Sequence, residues 1–238
     1  CKKFTFRMLD LWVDIGEHMD AILLAAGTSR RMGAGVDKQL TRLAGKPVMI
    51  FSLERLLNHR SIDRVIVTAA PGNIESITAM LADYSLESCC MVVEGGSTRQ
   101  ESVTCGLEHV STERVLIHEG ARPLIDDELI DRVLSINADC VVPTVPIPFT
   151  VAVGGDTMSA ELERSELHNV QLPQAFTTKV IKQAHEIAQQ KNQVATEDSV
   201  LVHRIGYEVV FVEGSNKNIK ITHPEDLVIA ERLIFGDS

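Results

Sequence analysis

Four short runs fix most of what this chain can become: RVIVTA (64–69), CCMVV (89–93), RVLIH (114–118) and CVVPTV (140–145). Each is of strand length, rich in β-branched residues and apolar almost throughout. Strands covered on one face alternate apolar with polar, whereas unbroken apolar strands belong to parallel sheets sandwiched between helices. A fifth such run, Ala21 to Leu24, precedes them. Helical spacing fills the intervals at 47–58 (opened by Pro47), 73–83, 98–109 and 127–137, the last after Asp126-Asp127. The alternation predicts the α/β class: a three-layer α/β/α sandwich around a Rossmann-like, mostly parallel sheet with right-handed crossovers.

The alternation breaks at about 146–172. Prolines at 143, 146 and 148, the Gly154-Gly155 pair and short alternating patches predict a β-hairpin arm protruding from the body. Such an arm cannot bury both faces on its own body, so a second copy is its expected partner and the chain is expected to form a homodimer. Helices are predicted again at 178–190 and 197–204, a strand at 208–213, and a last helix from His223-Pro224-Glu225-Asp226. At the second of these helices Thr196 is the expected cap, with Glu197 and Asp198 complementing the helix dipole. Residues 19–238 are read as one catalytic domain with the arm inside it. Residues 1–18 are read as an N-terminal extension without a catalytic part: Asp10 and Asp14 interrupt any signal-peptide core, and Met19 directly precedes the first strand.

Composition narrows the partners. With 33 acidic against 23 basic side chains the net charge is −10, which argues against a nucleic acid or an anionic membrane surface. No apolar run approaches the ~20 residues that span a bilayer. The five cysteines show no CxxC spacing and no histidines placed to complete a zinc site, and are expected to be reduced, in a cytoplasmic protein. Against this acidic background the cations gather at strand ends. AAGTSRRMGAGVDK (25–38) carries Arg31 and Lys38, EGGSTRQES (94–102) carries Arg99, HEGARP (118–123) carries Arg122, and GSNKNIKIT (214–222) carries Lys220. Ligands of open α/β sheets bind beyond the carboxyl ends of the strands, so these four loops converge where a polyanion would lie. It is held by neither common phosphate loop: GxxxxGK[ST] is absent, and Gly27 is followed by Thr28 and Ser29 instead of a GxGxxG pattern. His118, ending an apolar strand, is expected to be a core histidine, and Arg99 either a brace of its loop or a ligand contact.

LAAGTSRRMG, DKQL and LAGKPV together resemble the signature of nucleotidyltransferases that join a nucleoside triphosphate to a sugar or polyol phosphate. EGGSTRQESV (94–103), HEGARP, PQAF (173–176), TED (196–198) and NIKITHPEDL (218–227) are similar, in order and spacing, to the 2-C-methyl-D-erythritol 4-phosphate cytidylyltransferase family of the non-mevalonate isoprenoid pathway. The resemblance spans residues 19 to 235. It implies transfer of CMP from CTP to 2-C-methyl-D-erythritol 4-phosphate, with Mg2+ as cofactor. It further implies a CTP pocket at Ala25, Ala26 and Gly27, with Gly96 and Ser102 near the cytosine and ribose. Arg31 and Lys38 match the family's catalytic cations on the triphosphate, and Lys220 the lysine that holds the α-phosphate and the substrate phosphate. Glu119 matches the acidic substrate contact, with Arg122 beside it, while Thr150 and Arg164 match residues that reach the polyol phosphate of the neighbouring subunit. Departures fall on the polyol side: Glu119 stands where the family usually has aspartate, Phe149 and Val151 flank Thr150, and Leu172 precedes the PQ pair. A ribitol-5-phosphate cytidylyltransferase and a catalytically silent nucleotide-binding regulator remain as alternatives.

The chemistry accounts for what is missing. A phosphate monoester has a second pKa of ~6 and attacks as a dianion at pH 7, needing no general base. The obstacle is repulsion between that dianion and a triphosphate. Cations that neutralise, align and stabilise the departing pyrophosphate are the required machinery.

Overall fold

A computed structural model of the protein describes residues 18–27 and 41–236. Its central sheet is built from β1 (Met19–Ala25), β4 (Ile62–Ala69), β5 (Cys90–Glu94), β6 (Arg114–Glu119), β7 (Cys140–Pro146), β10 (His168–Val170), β11 (Gln174–Thr177) and β12 (Val210–Glu213). The short strands β2 (Arg42–Leu43) and β3 (Lys46–Pro47) pair with each other outside it. Strand order is β10-β7-β11-β6-β1-β4-β5, and β12 pairs with β7. The β1/β4, β1/β6, β4/β5 and β7/β12 pairs are parallel, so the predicted α/β sandwich with a mostly parallel sheet is what forms. β11 was not foreseen. It runs antiparallel between β6 and β7, and its four residues, QAFT, are too few to carry a period.

The near-unbroken apolar strands are explained by two cores, one on each face. Along β1, Ala21, Leu23 and Ala25 point to one side, against α1 (Val48–Asn58), α2 (Ile74–Asp83) and α4 (Asp127–Leu134) through Leu53, Ile77 and Ile130. Ile22 and Leu24 point to the other, against α3 (Arg99–Leu107), α5 (Thr178–Gln190) and α6 (Asp198–Arg204) through Val103, Ile181 and Val202. The period of two within a strand therefore divides one apolar run between two helical layers. The last helix, α7 (Pro224–Phe235), closes a third small cluster of Leu43, Val48, Ile221 and Ala230. None of the described helices is long and apolar enough to cross a membrane.

Local signals set the helix starts. Thr98 caps α3 in a reciprocal capping box with Glu101, and Asp126 caps α4 by accepting from the Leu129 amide at 2.8 Å. The expected cap at Thr196 is not made. Glu197 occupies the N-cap position of α6 without a side-chain cap bond, its carboxylate in a tertiary ion pair described below, and Asp198 lies in the first turn as expected.

The predicted hairpin forms between β7 and β10 from β8 (Ala152–Gly154) and β9 (Met158–Glu161), paired antiparallel. Every residue of both strands is exposed. Since β7 is antiparallel to β11, which is antiparallel to β6, the arm leaves from the same edge of the sheet as the carboxyl ends of β1 and β6.

Candidate active site

The carboxyl end of β6 lies beside that of β1, with Leu24 paired to Glu119 and the Gly120 amide donating to the Leu24 carbonyl at 3.0 Å. This register sets the turn EGAR (119–122) against Ala26 and Gly27. Ala25 is buried in the core, so only its backbone can face a ligand; Ala26 is half-buried and Gly27 exposed. The loop after β5 closes in from the other side. A Cβ on Gly95 would come within 2.7 Å of the Ala26 Cβ, and one on Gly96 would overlap Glu101, so both positions require glycine for close approach. Ser102, almost fully buried, spends its hydroxyl on this loop, donating to Thr98 O at 2.8 Å and Gly96 O at 3.3 Å.

At the centre stands Glu119, only 6% exposed. Its Oε1 accepts from Lys220 Nζ at 2.8 Å and its Oε2 from Arg122 Nε at 3.2 Å. Burial alone would raise the Glu119 pKa. The Lys220 charge, then that of Arg122, the Lys220 hydrogen bond and the Arg99 charge outweigh it and pull the group down to about 2. Lys220 is held at this point because its neighbour Ile221 donates its amide to Ala121 O at 2.8 Å, while Arg122 Nη1 ties back to Asn218 O at 3.0 Å. The NIKIT segment is thereby stitched onto the EGAR turn. Behind it, His118 is wholly buried with Nε2 on Arg122 O at 3.1 Å, and burial, partly offset by that bond, pushes its pKa down to about 4. It is a neutral core histidine.

Arg99 is more than a loop brace. Its Nη1 donates to Asp198 Oδ2 at 2.7 Å and its Nη2 to Glu197 Oε2 at 3.1 Å, while Nε faces Glu119 Oε1 at 3.7 Å. Glu197 also accepts from Gln174 Nε2 at 3.1 Å, and Asp198 Oδ1 lies 3.0 Å from His185 Nε2. These partners, Glu197, Asp198, Gln174 and Asn218, had no signal in the sequence as parts of a site beyond their place in short motifs. Arg31 and Lys38 lie outside the described residues. Thr150 and Arg164 are exposed on the arm, away from the Glu119 cluster's hydrogen bonds; Arg164 Nη1 lies 3.5 Å from Pro148 O.

The model of the 2-C-methyl-D-erythritol 4-phosphate cytidylyltransferase family matches residues 19–235. The chain belongs to that family. Proteins described as 2-C-methyl-D-erythritol 4-phosphate cytidylyltransferase from Geobacillus kaustophilus and a Synechococcus species are 36% and 35% identical to it. Each alignment covers 91% of this chain and 97% of the relative. The crystal structure of the cytidylyltransferase from Thermus thermophilus superposes with a TM-score of 0.74 at 31% identity, covering 91% of this chain and 98% of that one. A 4-diphosphocytidyl-2C-methyl-D-erythritol synthase from Anaerococcus prevotii gives a TM-score of 0.78 at 27% identity, covering 92% and 99%. As a member of the cytidylyltransferase family the protein is a nucleotidyltransferase, and the cluster of Glu119, Arg122 and Lys220 is where the family resemblance and the ion-pair geometry coincide.

That cluster has a measurable signature in acid. The folded-state pKa of Glu119, about 2, lies below its ordinary 4.5, so its ionised form contributes stability above pH ~4.5 that is lost as pH falls towards 2. At ~1.4 kcal/mol per unit the contribution is on the order of 3 kcal/mol. Glu119→Gln is expected to melt well below the wild type at pH 7, with the gap shrinking progressively towards pH 3 in thermal melts. A gap independent of pH would mean that the ion pairs carry none of that stability.

Proposed function

We propose that the protein transfers CMP from CTP to 2-C-methyl-D-erythritol 4-phosphate, forming 4-diphosphocytidyl-2-C-methyl-D-erythritol and releasing pyrophosphate. The observation that carries this reading is Lys220, held 2.8 Å from a buried carboxylate at the carboxyl end of the sheet, in a chain that matches the family from residue 19 to residue 235. The substrate phosphate dianion attacks the α-phosphorus, the new P–O bond forms opposite the bond to the β-phosphate, and pyrophosphate leaves with the electron pair. Lys220 bridges the α-phosphate and the incoming phosphate, lowering their repulsion. Arg31 and Lys38 take the charge that grows on the leaving group. The backbone of Ala25, Ala26 and Gly27 receives the nucleotide, with the loop of Gly96 and Ser102 shaping the wall for base and ribose. Glu119 and Arg122 contact the polyol phosphate, and Thr150 and Arg164 of a second copy complete that side.

Mg2+ enters in this reading as the CTP complex. Among the described residues no three His, Cys, Asp or Glu side chains gather to hold a metal, and both Glu119 oxygens are engaged by cations. The residues present suit an ion carried by phosphate oxygens and water, supplying charge neutralisation to the triphosphate. The arm favours a homodimer, since it displays Phe149 at 76%, Met158 at 65% and Val153 at 43% exposure. We read 19–238 as the catalytic unit and residues 1–18 as taking no part in the chemistry. The four described cysteines, all free, fit a reducing cytoplasmic setting. Pyrophosphate release from CTP, measured with 2-C-methyl-D-erythritol 4-phosphate, with ribitol 5-phosphate and without acceptor, tests the assignment. Turnover with the erythritol phosphate alone is expected; preference for ribitol 5-phosphate, or none with either, would overturn it.

A further inference from the structure

The contacts of Arg99 are lopsided. Two of its nitrogens make short bonds, to Asp198 and Glu197, yet Nε is buried and has no hydrogen-bond partner. An unsatisfied buried N–H is costly and needs a reason. Glu119 Oε1 lies 3.7 Å from it, and that oxygen is already occupied by Lys220 Nζ at 2.8 Å. Glu119 thus competes with any incoming phosphate for the charge of Lys220. Drawing Lys220 away strands a buried carboxylate with Arg122 alone, which is strongly unfavourable.

We propose that Arg99 is a positioning residue that takes over Glu119 when an incoming phosphate draws Lys220 away. Its Nε–H is the reserve donor, held one short side-chain shift from Oε1. Two features keep it there. The guanidinium is planar and fixed by Asp198 and Glu197, so Nε cannot turn elsewhere. Asp198 is in turn held by His185, whose Nδ1 lies 2.9 Å from Thr104 Oγ1, anchoring the assembly to α5 and α3. Among the described residues this centre sets three cations, Arg99, Arg122 and Lys220, against three carboxylates, Glu119, Glu197 and Asp198. Without Arg99 the two remaining cations would face all three, and Glu119 would keep Lys220.

The inference rests on the proposed function for the identity of the substrate, but its test needs only a polyanion. The probe is inorganic pyrophosphate, with affinity read by calorimetry. Arg99→Gln should weaken binding by roughly 30-fold, the effect of one unit charge at ~8 Å and an effective dielectric of ~20. Adding Glu119→Gln to it should bring affinity back to within a few-fold of wild type, because the competitor for Lys220 is gone. A bracing role predicts the reverse, since the double variant has lost more contacts. Should Arg99→Gln melt below the assay temperature, Arg99→Lys, which keeps the charge and loses the fixed Nε, carries the same comparison. A several-fold loss is then expected, recovered by Glu119→Gln. Wild-type affinity in the Arg99 variants, no recovery in the double variants, or no binding by the wild type would each overturn the proposal. Failure of the reaction itself shows separately: CMP transfer absent while the pyrophosphate pattern holds would refute the substrate assignment and leave the handover standing.

Discussion

Lys220→Ala is expected to lower kcat by about 10²–10³, the usual loss for one charge contact made in a phosphoryl-transfer transition state. The fold should survive. Lys220 is 38% exposed, and its Glu119 partner retains Arg122 and the nearby Arg99, so circular dichroism should be unchanged, while the melting point should fall with the loss of the largest charge opposite Glu119. KM for CTP should rise less than kcat falls, because the ammonium is needed most when two phosphates crowd one another. Lys220→Arg should recover little: a planar fork cannot sit as a point charge between two phosphates. Steady-state pyrophosphate release decides it, and turnover within a few-fold of wild type would remove Lys220 from the chemistry.

Mixing two inactive proteins should restore activity. Lys38→Ala removes a cation that the proposed function assigns to the triphosphate, and Arg164→Ala removes one on the arm. Arg164 is exposed and its nearest bond, to Pro148 O at 3.5 Å, is marginal, so its loss should leave its own chain intact. If each site in a two-fold dimer uses the partner's arm, one site of a mixed dimer collects both lesions and the other collects neither. Random exchange makes about half the dimers mixed, each with one intact site, giving roughly a quarter of wild-type activity. Mass spectrometry of the exchanged sample supplies the control. Confirmed exchange without activity would mean that the arm does not act in trans.

What could be read in advance depended on how local the physics was. β4, β6 and β7 are each specified by a handful of adjacent residues whose covering on both faces leaves a continuous apolar signature, and the arm by the prolines near the end of β7 and the glycine pair that follows it. Arg99, Arg122 and Lys220 were legible as strand-end cations, because topology dictates that strand ends converge, and Glu119 through the family resemblance. The ion pairs of Arg99 were not, since its partners lie 98 and 99 residues away and no spacing rule connects them. The expected cap at Thr196 fails because α6 starts one residue later, with Glu197 at the N-cap position and Asp198 in the first turn. β11 was hidden for a different reason. A four-residue strand lying antiparallel among parallel ones has neither the length nor the crossover helix that announces its neighbours.

The position of β11 governs the order in which the molecule can be completed. Residues 174–177 separate β6 from β7, yet they emerge from the ribosome after both and after the whole arm. Until then β6 exposes one unpaired edge and β7 has no place on the sheet, although the first half of both cores is already made. Domains tend to fold as their segments emerge, and an open edge strand is a template for wrong pairing. Synthesis therefore passes through a stage in which the apolar run 140–145 and the arm trail from an unfinished sheet. That stage ends when a four-residue strand slots in like a keystone. Lys220 emerges later still, so the Glu119–Lys220 pair forms only on a chain that already holds every residue of the seam between β6 and β7.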